Sequence, residues 1–528
     1  MADDFFNACD YLLDRRVAAG DGDRPALTGI GGDLSYRELL ERVQRTATVL
    51  TDLGLQPEQR LMMFMADSPD FVALYLAAMR IGAIPVPVST MLHADGLTEL
   101  LRDSRARLLA VSPEFGSIAL DAVTDAPELR AVLAAGGLPG DAGIAVHALD
   151  DLLARAEPAA EFYPTTADSP AFWLYTSGTT GKSKGAMHRH GAVQYVCETY
   201  GVQVLGIRPE DRCLSAAKAF FAYGLGNSVL FPLSVGACAV LEPAPARPEV
   251  MSERARTFGA TLFFAGPTFF ANMLRADLPA DVLGAVRLTA SAGEALPAAL
   301  YQRWTQHFGV DIIDGIGMTE MLHIFLSNRA GNVRPGTTGT AVPGYELRIV
   351  DESGGDVAAG TPGTLLVRGA SAATGYWSRY DASRQVFQGE WLRTGDTYVQ
   401  DTDGFYACLG RTGDMLKVSG MWVSPAELES RLLAHAAVAQ AVVVAALDAD
   451  GLEKPVAYVV LGVGLTATED ELVDFCREGL PSFKRPRRIV FVDGYPTTAT
   501  GKVRRVELRD MAAEVLIEQL RTAGVTSA

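Results

Sequence analysis

Apolar residues fall along the chain in two textures. From about residue 25 to residue 350, short apolar runs alternate with longer segments whose apolar positions recur at helical spacing. "RLMMFM" at 60–65 reads as a buried strand. The following "SPDFVALYLAAMRIG" reads as a helix, with Ser68 as its N-cap, Pro69 at the first helical position and Gly82 as its stop. "AIPVPV" is again a strand, and similar units recur at "RLLAVS", "CAVLEP" and "ATLFFAGPTFFANML". This alternation predicts α/β layers with parallel strands. No repeat with a period of roughly 20–50 residues is evident.

After about residue 335 the pattern changes to short β segments separated by Gly and Asp turns, as in "YELRIVDESGGDV" and "WLRTGDTYVQDTDGFYACLGR". A final α+β unit runs from about residue 415 to 528. It holds a capped amphipathic helix, "SPAELESRLLAH", two strands, "VAQAVVVAAL" and "KPVAYVVLG", and a second helix, "TEDELVDFCREGL". The boundary falls near "GRTGDMLKVSG", a Gly-rich stretch suited to a hinge.

Composition narrows the class. A chain of 528 residues exceeds the size at which one core keeps growing. Its 48% hydrophobic and 21% charged residues read as globular. A formal charge of −17 disfavours nucleic-acid and anionic-membrane partners. The acidic start "MADDFFNACDYLLD" lacks the basic segment of a secretory signal, and the apolar stretches are too short and broken to span a bilayer. Cys9, Cys197, Cys213, Cys238, Cys408 and Cys476 lie far apart, without metal-ligand spacing. A reduced, cytoplasmic enzyme is expected. His188 and His190 would share a face only on a strand, and no further ligands accompany them, which disfavours a metal site there. Of 46 basic residues only seven are lysines. A lysine kept against that bias suits work that needs a compact ammonium on a flexible stem.

Two of those lysines stand in "TSGTTGKSKG", Thr176 to Gly185. A Walker-type loop needs a glycine where this segment has Thr176, so a P-loop phosphotransferase is not supported. "SAGEALP" (291–297), "DGIGMTEM" (314–321), "WLRTGD" (391–396), "GRTGDMLKVSG" (410–420) and "PTTATGKVRR" (496–505) follow in order. Each alone is compatible with an ordinary loop or turn. Together they resemble the core motifs of the acyl-adenylate-forming family, which includes acyl-CoA synthetases, luciferases and the adenylation domains of peptide synthetases. The resemblance covers essentially the whole chain.

The resemblance implies a large N-terminal domain of layered α/β subdomains, residues 1–412, with a β-rich subdomain at about 335–412. A small mobile α+β domain, 413–528, follows a hinge at Gly413, where the family usually has Asp or Lys. It further implies that Thr176, Ser177, Gly178, Thr179, Thr180, Gly181 and Lys184 hold the β- and γ-phosphates of ATP. Backbone N–H groups and hydroxyls supply the many short donors a triphosphate needs. A second departure is Ser183, where many members have proline. Gly293, Glu294, Ala295, Asp314, Gly315 and Ile316 resemble the walls of an adenine pocket. Thr319 is implied at the α-phosphate and Glu320 as the Mg²⁺ ligand. Asp396 is implied at the ribose hydroxyls with Arg411 assisting. Lys502 is implied between the substrate carboxylate and the α-phosphate, where its charge stabilises the in-line transition state. Rotation of the C-terminal domain would replace it with Lys417 and the "KVSGMWVSP" loop, opening a path for a thiol.

Within the family, "AAKAFFAYGLGNS", "SAGEALP" and above all "DGIGMTEMLHIFLSN" resemble benzoate-CoA ligases. The matching positions, Phe221, Ala222, Tyr223, Ala292, Gly317, Leu322, His323 and Ile324, would form a small flat pocket. Aromatic walls and Gly/Ala floors suit a ring, whereas a fatty chain needs an open apolar tunnel. His323 is expected at the carboxylate or a ring substituent. No Asp stands near Phe221 to hold an α-amino group, which disfavours an amino-acid substrate. The expected reaction joins benzoate or a substituted benzoate to coenzyme A, with ATP and Mg²⁺. An acyl-carrier protein is the alternative acceptor, and the thiol is expected on a separate molecule. Ser419, Gly420 and Lys484 are the candidate coenzyme A contacts. Monomer and homodimer both remain open.

Overall fold

The computed structural model describes residues 5–138, 143–177, 183–276, 278–418, 421–447, 452–496 and 503–512. Gly178 to Gly181, Ser419, Gly420 and Lys502 lie outside the described residues, as do the side chains of Ser177 and Lys417.

Two sheets, one all parallel and one with a parallel centre, form the N-terminal layers. The first has five strands in the order Ile84–Pro87, Arg60–Phe64, Leu108–Val111, Ala131–Ala134, Ala145–Ala148, all parallel. The helix Pro69–Arg80 links two of them. Ser68 caps it by accepting from the Phe71 N–H at 3.2 Å, and Gly82 beyond its end adopts φ 72°. Every residue from Phe71 to Arg80 is buried. That explains a sequence apolar all round rather than striped.

The buried end of this helix carries a charge. The Arg80 side chain is fully buried, 3.0 Å from the Asp14 carboxylate, and its guanidinium carbon lies 3.8 Å from the Phe162 ring centroid. It also donates to the carbonyls of Ala159 and Ala160. Breaking such a pair strands the remaining charge. Arg80→Met is therefore expected to destabilise the N-terminal domain by ~3–5 kcal/mol, seen as a lower urea midpoint. An unchanged midpoint would contradict it.

The second sheet has nine strands, in the order Thr340–Ala341, Ile324–Ser327, Ile312–Gly317, Leu288–Ser291, Leu262–Ala265, Arg212–Ser215, Cys238–Leu241, Pro25–Gly29, Leu34–Ser35. Neighbours from Ile312–Gly317 to Pro25–Gly29 pair in parallel, and the outer pairings are antiparallel. Inner strands such as Leu262–Ala265 and Leu288–Ser291 are buried at every position. Burial on both faces accounts for their unbroken apolar runs.

An antiparallel sheet follows, built from Glu346–Val350, Gly363–Arg368, Phe387–Gln388, Trp391–Gln400 and Tyr406–Arg411. The "WLRTGD" segment lies within a strand rather than a turn. In the C-terminal unit, Val438–Leu447 pairs antiparallel with Glu453–Leu461, which pairs in parallel with Arg488–Phe491. Its helices Pro425–Leu433 and Glu469–Gly479 start at Ser424 and Thr468, each accepting from a backbone N–H three residues on. Among the described residues no helix is long and apolar enough to cross a membrane.

Candidate active site

The nine-stranded sheet aligns the ends of four parallel strands. Register pairs Ser215 with Phe264, Ala265 with Ser291 and Ser291 with Asp314. The loops leaving these ends carry Phe221 to Tyr223, Gly266, Ala292 to Ala295, and Met318 to His323. Open α/β sheets bind ligands in the crevice beyond such carboxyl ends. Topology thus brings together segments some hundred residues apart.

The tightest of these connections follows Ile312–Gly317. A short 3₁₀ turn spans Thr319–Met321, after which Leu322 adopts φ 66°, ψ −45°. The His323 N–H donates to the Met321 carbonyl at 2.8 Å, closing a γ-turn around Leu322. Positive φ in a fully buried leucine is strained, and strain of this kind collects at functional sites. The turn sends the chain back antiparallel as Ile324–Ser327, so that Ile324 pairs with Gly317. A Cβ on Gly317 would sit 2.6 Å from the His323 carbonyl oxygen.

His323 is buried among aromatic rings. Its centroid lies 5.2 Å from Tyr200, 5.5 Å from Tyr223 and 4.5 Å from Phe231. Gly226 permits this packing, since a Cβ there would meet the imidazole at 2.4 Å. Nε2 stands 3.3 Å from the Tyr223 carbonyl, and Nδ1 is buried without a partner. Burial pushes the imidazole down to about 3, so it is neutral at physiological pH. With Nε2 donating to a carbonyl, Nδ1 is left as an acceptor. That narrows the expectation for His323: a neutral ring with its Nε2–H engaged has no proton on Nδ1 to give to a carboxylate. Tyr223 directs its hydroxyl away to the Ala290 carbonyl, at 2.8 Å.

On the adjoining side, the hairpin Pro170–Ser177 and Ser183–Arg189 pairs Thr176 with Lys184 and Ser177 with Ser183. Segment 374–377 lines up beside its second strand: the Met187 N–H donates to the Gly375 carbonyl, and the Trp377 N–H to the Gly185 carbonyl. Lys184 Nζ lies 5.4 Å over the Tyr376 ring, and the Tyr376 hydroxyl donates to Glu320 Oε1. The Glu320 carbonyl accepts from the Ala373 N–H at 2.8 Å. His188, on the same hairpin, places Nε2 2.9 Å from the Thr319 carbonyl and is held neutral by burial, down to about 4. His190 accepts from the Ala8 N–H through Nδ1 at 3.0 Å. Both histidines therefore serve the local packing.

Arg411 Nε lies 3.2 Å from the Asp396 carboxylate, and the two residues are register partners. Asp314 is buried, its Oδ1 has no partner, and burial pushes its carboxyl up to about 8. Glu294 accepts from the Thr268 hydroxyl at 3.1 Å. Its charge also reaches Arg505. Burial opposes the Arg505 charge, but Glu429, Asp414 and Glu294 outweigh it and hold the guanidinium above its usual range. The ion-pair partners of Arg505 among the described residues are Glu429 and Asp414.

Residues 14–377 match the AMP-binding enzyme family, and residues 427–502 match the AMP-binding enzyme C-terminal domain. The chain belongs to the AMP-binding enzyme family. It is 44% identical to the benzoate–CoA ligase of Thauera aromatica over 510 residues, covering 96% of each chain. It is 42% identical to the 4-hydroxybenzoate–CoA/benzoate–CoA ligase of Rhodopseudomonas palustris, covering 96% of this chain and 94% of the relative. The fold superposes on an anthranilate CoA ligase in complex with anthranoyl-AMP with a TM-score of 0.92, at 37% identity, covering 97% and 98% of the two chains.

Two implied residues of this AMP-binding enzyme have local roles that the sequence did not disclose. Lys484 Nζ is 2.6 Å from the Glu427 carboxylate, so it is engaged within the C-terminal unit in this arrangement. Gly413 has an ordinary negative-φ backbone and open space around its Cα, and its carbonyl accepts from Arg509 at 3.1 Å. Sequence reasoning did not single out Tyr376, His188 as a Thr319 contact, or Arg505. Tyr376 lies 56 positions from Glu320, and no motif spacing links the two.

Proposed function

We propose that this AMP-binding enzyme is an ATP-dependent aryl-acid:CoA ligase acting on benzoate or a substituted benzoate. The observation that carries the reading is the convergence of Phe221 to Tyr223 and Met318 to His323 beyond the carboxyl ends of the parallel strands, with the His323 ring 5.5 Å from Tyr223, in a chain 44% identical to a benzoate–CoA ligase. Aromatic side chains beside Gly317 suit a planar ring, whereas a fatty chain needs an open apolar tunnel.

In the first half-reaction a carboxylate oxygen of the acid attacks the α-phosphorus in line. The bond to the bridging oxygen breaks and pyrophosphate leaves. The Gly-rich loop from Thr176 to Lys184 holds the departing phosphates, Thr319 contacts the α-phosphate, and Lys502 neutralises charge at the centre. Asp396 and Arg411 hold the ribose, and Asp314 to Ile316 with Gly293 to Ala295 enclose the adenine. In the second half-reaction the coenzyme A sulfur attacks the acyl carbon, its proton leaves to solvent, and AMP departs. Lys417 and the loop with Ser419 and Gly420 act in that step.

Glu320 fits the Mg²⁺ that accompanies ATP. It is a buried carboxylate with Oε1 taken by Tyr376, while no donor among the described residues reaches Oε2. A hard oxygen of this kind is what the ion prefers, and the ion would neutralise triphosphate charge.

A substrate panel tests the reading. Benzoate, hydroxy- and aminobenzoates, cyclohexanecarboxylate and a medium-chain fatty acid are assayed for AMP release, with and without coenzyme A. An aromatic acid should release AMP in a coenzyme A-dependent manner, and the fatty acid should not. Preference for the fatty acid would overturn the substrate class. Pyrophosphate release from an aromatic acid without turnover on coenzyme A would move the acceptor to a carrier protein.

A further inference from the structure

We infer that Tyr376 is the positioning residue for the metal-binding carboxylate, tying Glu320 and Lys184 into one triphosphate-recognition unit. This rests on the reading of Glu320 and Lys184 given above.

Three observations converge on this side chain. Its hydroxyl donates to Glu320 Oε1, leaving Oε2 without a donor among the described residues. Its ring lies 5.4 Å beneath Lys184 Nζ, within range of a cation–π attraction. Its backbone is fixed on both sides: Tyr376 bridges antiparallel to Ala186, and its N–H donates to the Ser383 hydroxyl at 3.0 Å. The ring is further wedged edge-on against Phe387, with centroids 5.4 Å apart. A buried carboxylate with one oxygen held by a fixed phenol cannot swing, so the other oxygen keeps a single direction. The same phenol ring fixes the height of the lysine beside it. One residue thus couples the position of an anionic ligand to that of a cationic one.

The coupling has a chemical purpose. A magnesium–triphosphate complex presents a cation and several anionic oxygens a few ångströms apart, so a carboxylate and an ammonium must be set at matching separation. Glu320 stands on the 3₁₀ turn after the nine-stranded sheet and Lys184 on the separate hairpin, and segment 369–377 packs against both. Around them, Ser371 Oγ donates to the Met321 carbonyl at 2.8 Å, and the Ala373 N–H holds the Glu320 carbonyl at 2.8 Å. Tyr376 is the point at which this segment touches both charged groups.

The test uses full-length Tyr376→Phe, which keeps the ring against Lys184 and Phe387 and removes only the hydroxyl. Mn²⁺ binding is measured by electron paramagnetic resonance, in the presence of an ATP analogue with a methylene between the α- and β-phosphorus. Outer partners of metal ligands typically change affinity by about 10–100-fold, and a loss in that range is expected here. The KM for benzoate should stay within about twofold, and excess Mn²⁺ should restore kcat, as expected when the outer partner of a ligand is lost. Unchanged Mn²⁺ affinity overturns the inference, as does a weakened benzoate KM with intact Mn²⁺ affinity. Tyr376→Leu, which also removes the ring, should weaken analogue binding further, and equal effects of the two variants would remove Lys184 from the unit. If the unaltered protein binds Mn²⁺ and the analogue but turns over no aromatic acid, the proposed substrate class fails while this inference stands.

Discussion

Lys502→Ala should reduce benzoate-dependent pyrophosphate release on the order of a thousandfold, while leaving thioester formation from supplied benzoyl-AMP largely intact. The asymmetry follows from what each half-reaction demands. In the first, charge builds on the oxygens around the α-phosphorus as two anions are forced together, and one ammonium placed between them acts mainly on the transition state. In the second, the thiol attacks the acyl carbon and the acyl–oxygen bond of the mixed anhydride breaks, so there is no substitution at phosphorus for the same ammonium to assist. The chain keeps a lysine here although it uses arginine for most of its 46 basic positions. A bidentate guanidinium would bind the ground state as well as the transition state, whereas a point charge on a flexible stem can follow the migrating charge. The converse variant, Lys417→Ala, should spare pyrophosphate release and slow thioester formation. Pyrophosphate release and thioester formation are assayed separately, by coupled phosphate detection and by the thioester's absorbance. Equal loss of both in Lys502→Ala would refute the division of labour.

Local signals were legible where they act locally. Ser68, Pro69 and Gly82 delimit the helix Pro69–Arg80 because a cap, a preset φ and a left-handed stop all operate within a few residues. The unbroken apolar runs predicted parallel strands for the same reason, since burial on both faces leaves no position for a polar residue. What was not legible depends on pairing across sequence. The nine-strand order sets Leu262–Ala265 beside Arg212–Ser215 and moves Cys238–Leu241 to the other side, and nothing in the strands themselves encodes that exchange. Leu322 gives no warning of its positive φ, because leucine is not a turn residue. The conformation is imposed by the antiparallel return of Ile324–Ser327 onto Ile312–Gly317. Lys484 is a candidate coenzyme A contact in the sequence, and its ion pair is not visible there because Glu427 lies 57 positions earlier, on the helix Pro425–Leu433. Tyr376 is silent in the sequence for the same reason: its meaning lies in two neighbours, one on the 3₁₀ turn Thr319–Met321 and one on the hairpin strand Ser183–Arg189.

Glu320→Gln should lower pyrophosphate release on the order of a hundredfold or more, with a matching loss of Mn²⁺ affinity and a thioester step from supplied benzoyl-AMP that is nearly unaffected. The amide preserves shape and keeps an oxygen for the Tyr376 hydroxyl, so the 3₁₀ turn at Thr319–Met321 and the strained residue after it should persist. What is lost is one negative charge in a buried setting, where only 6% of the residue is exposed and attraction to a divalent cation is weakly screened. The triphosphate needs that cation only until the α–β bond breaks, which confines the effect to the first half-reaction. Glu320→Gln and Tyr376→Phe attack the same ligand from inside and outside, so their effects on Mn²⁺ affinity should be markedly less than additive. Full additivity would mean that the phenol and the carboxylate act on separate parts of the triphosphate. Pyrophosphate release within twofold of the unaltered protein would remove Glu320 from the metal site altogether, whatever the fate of Lys502.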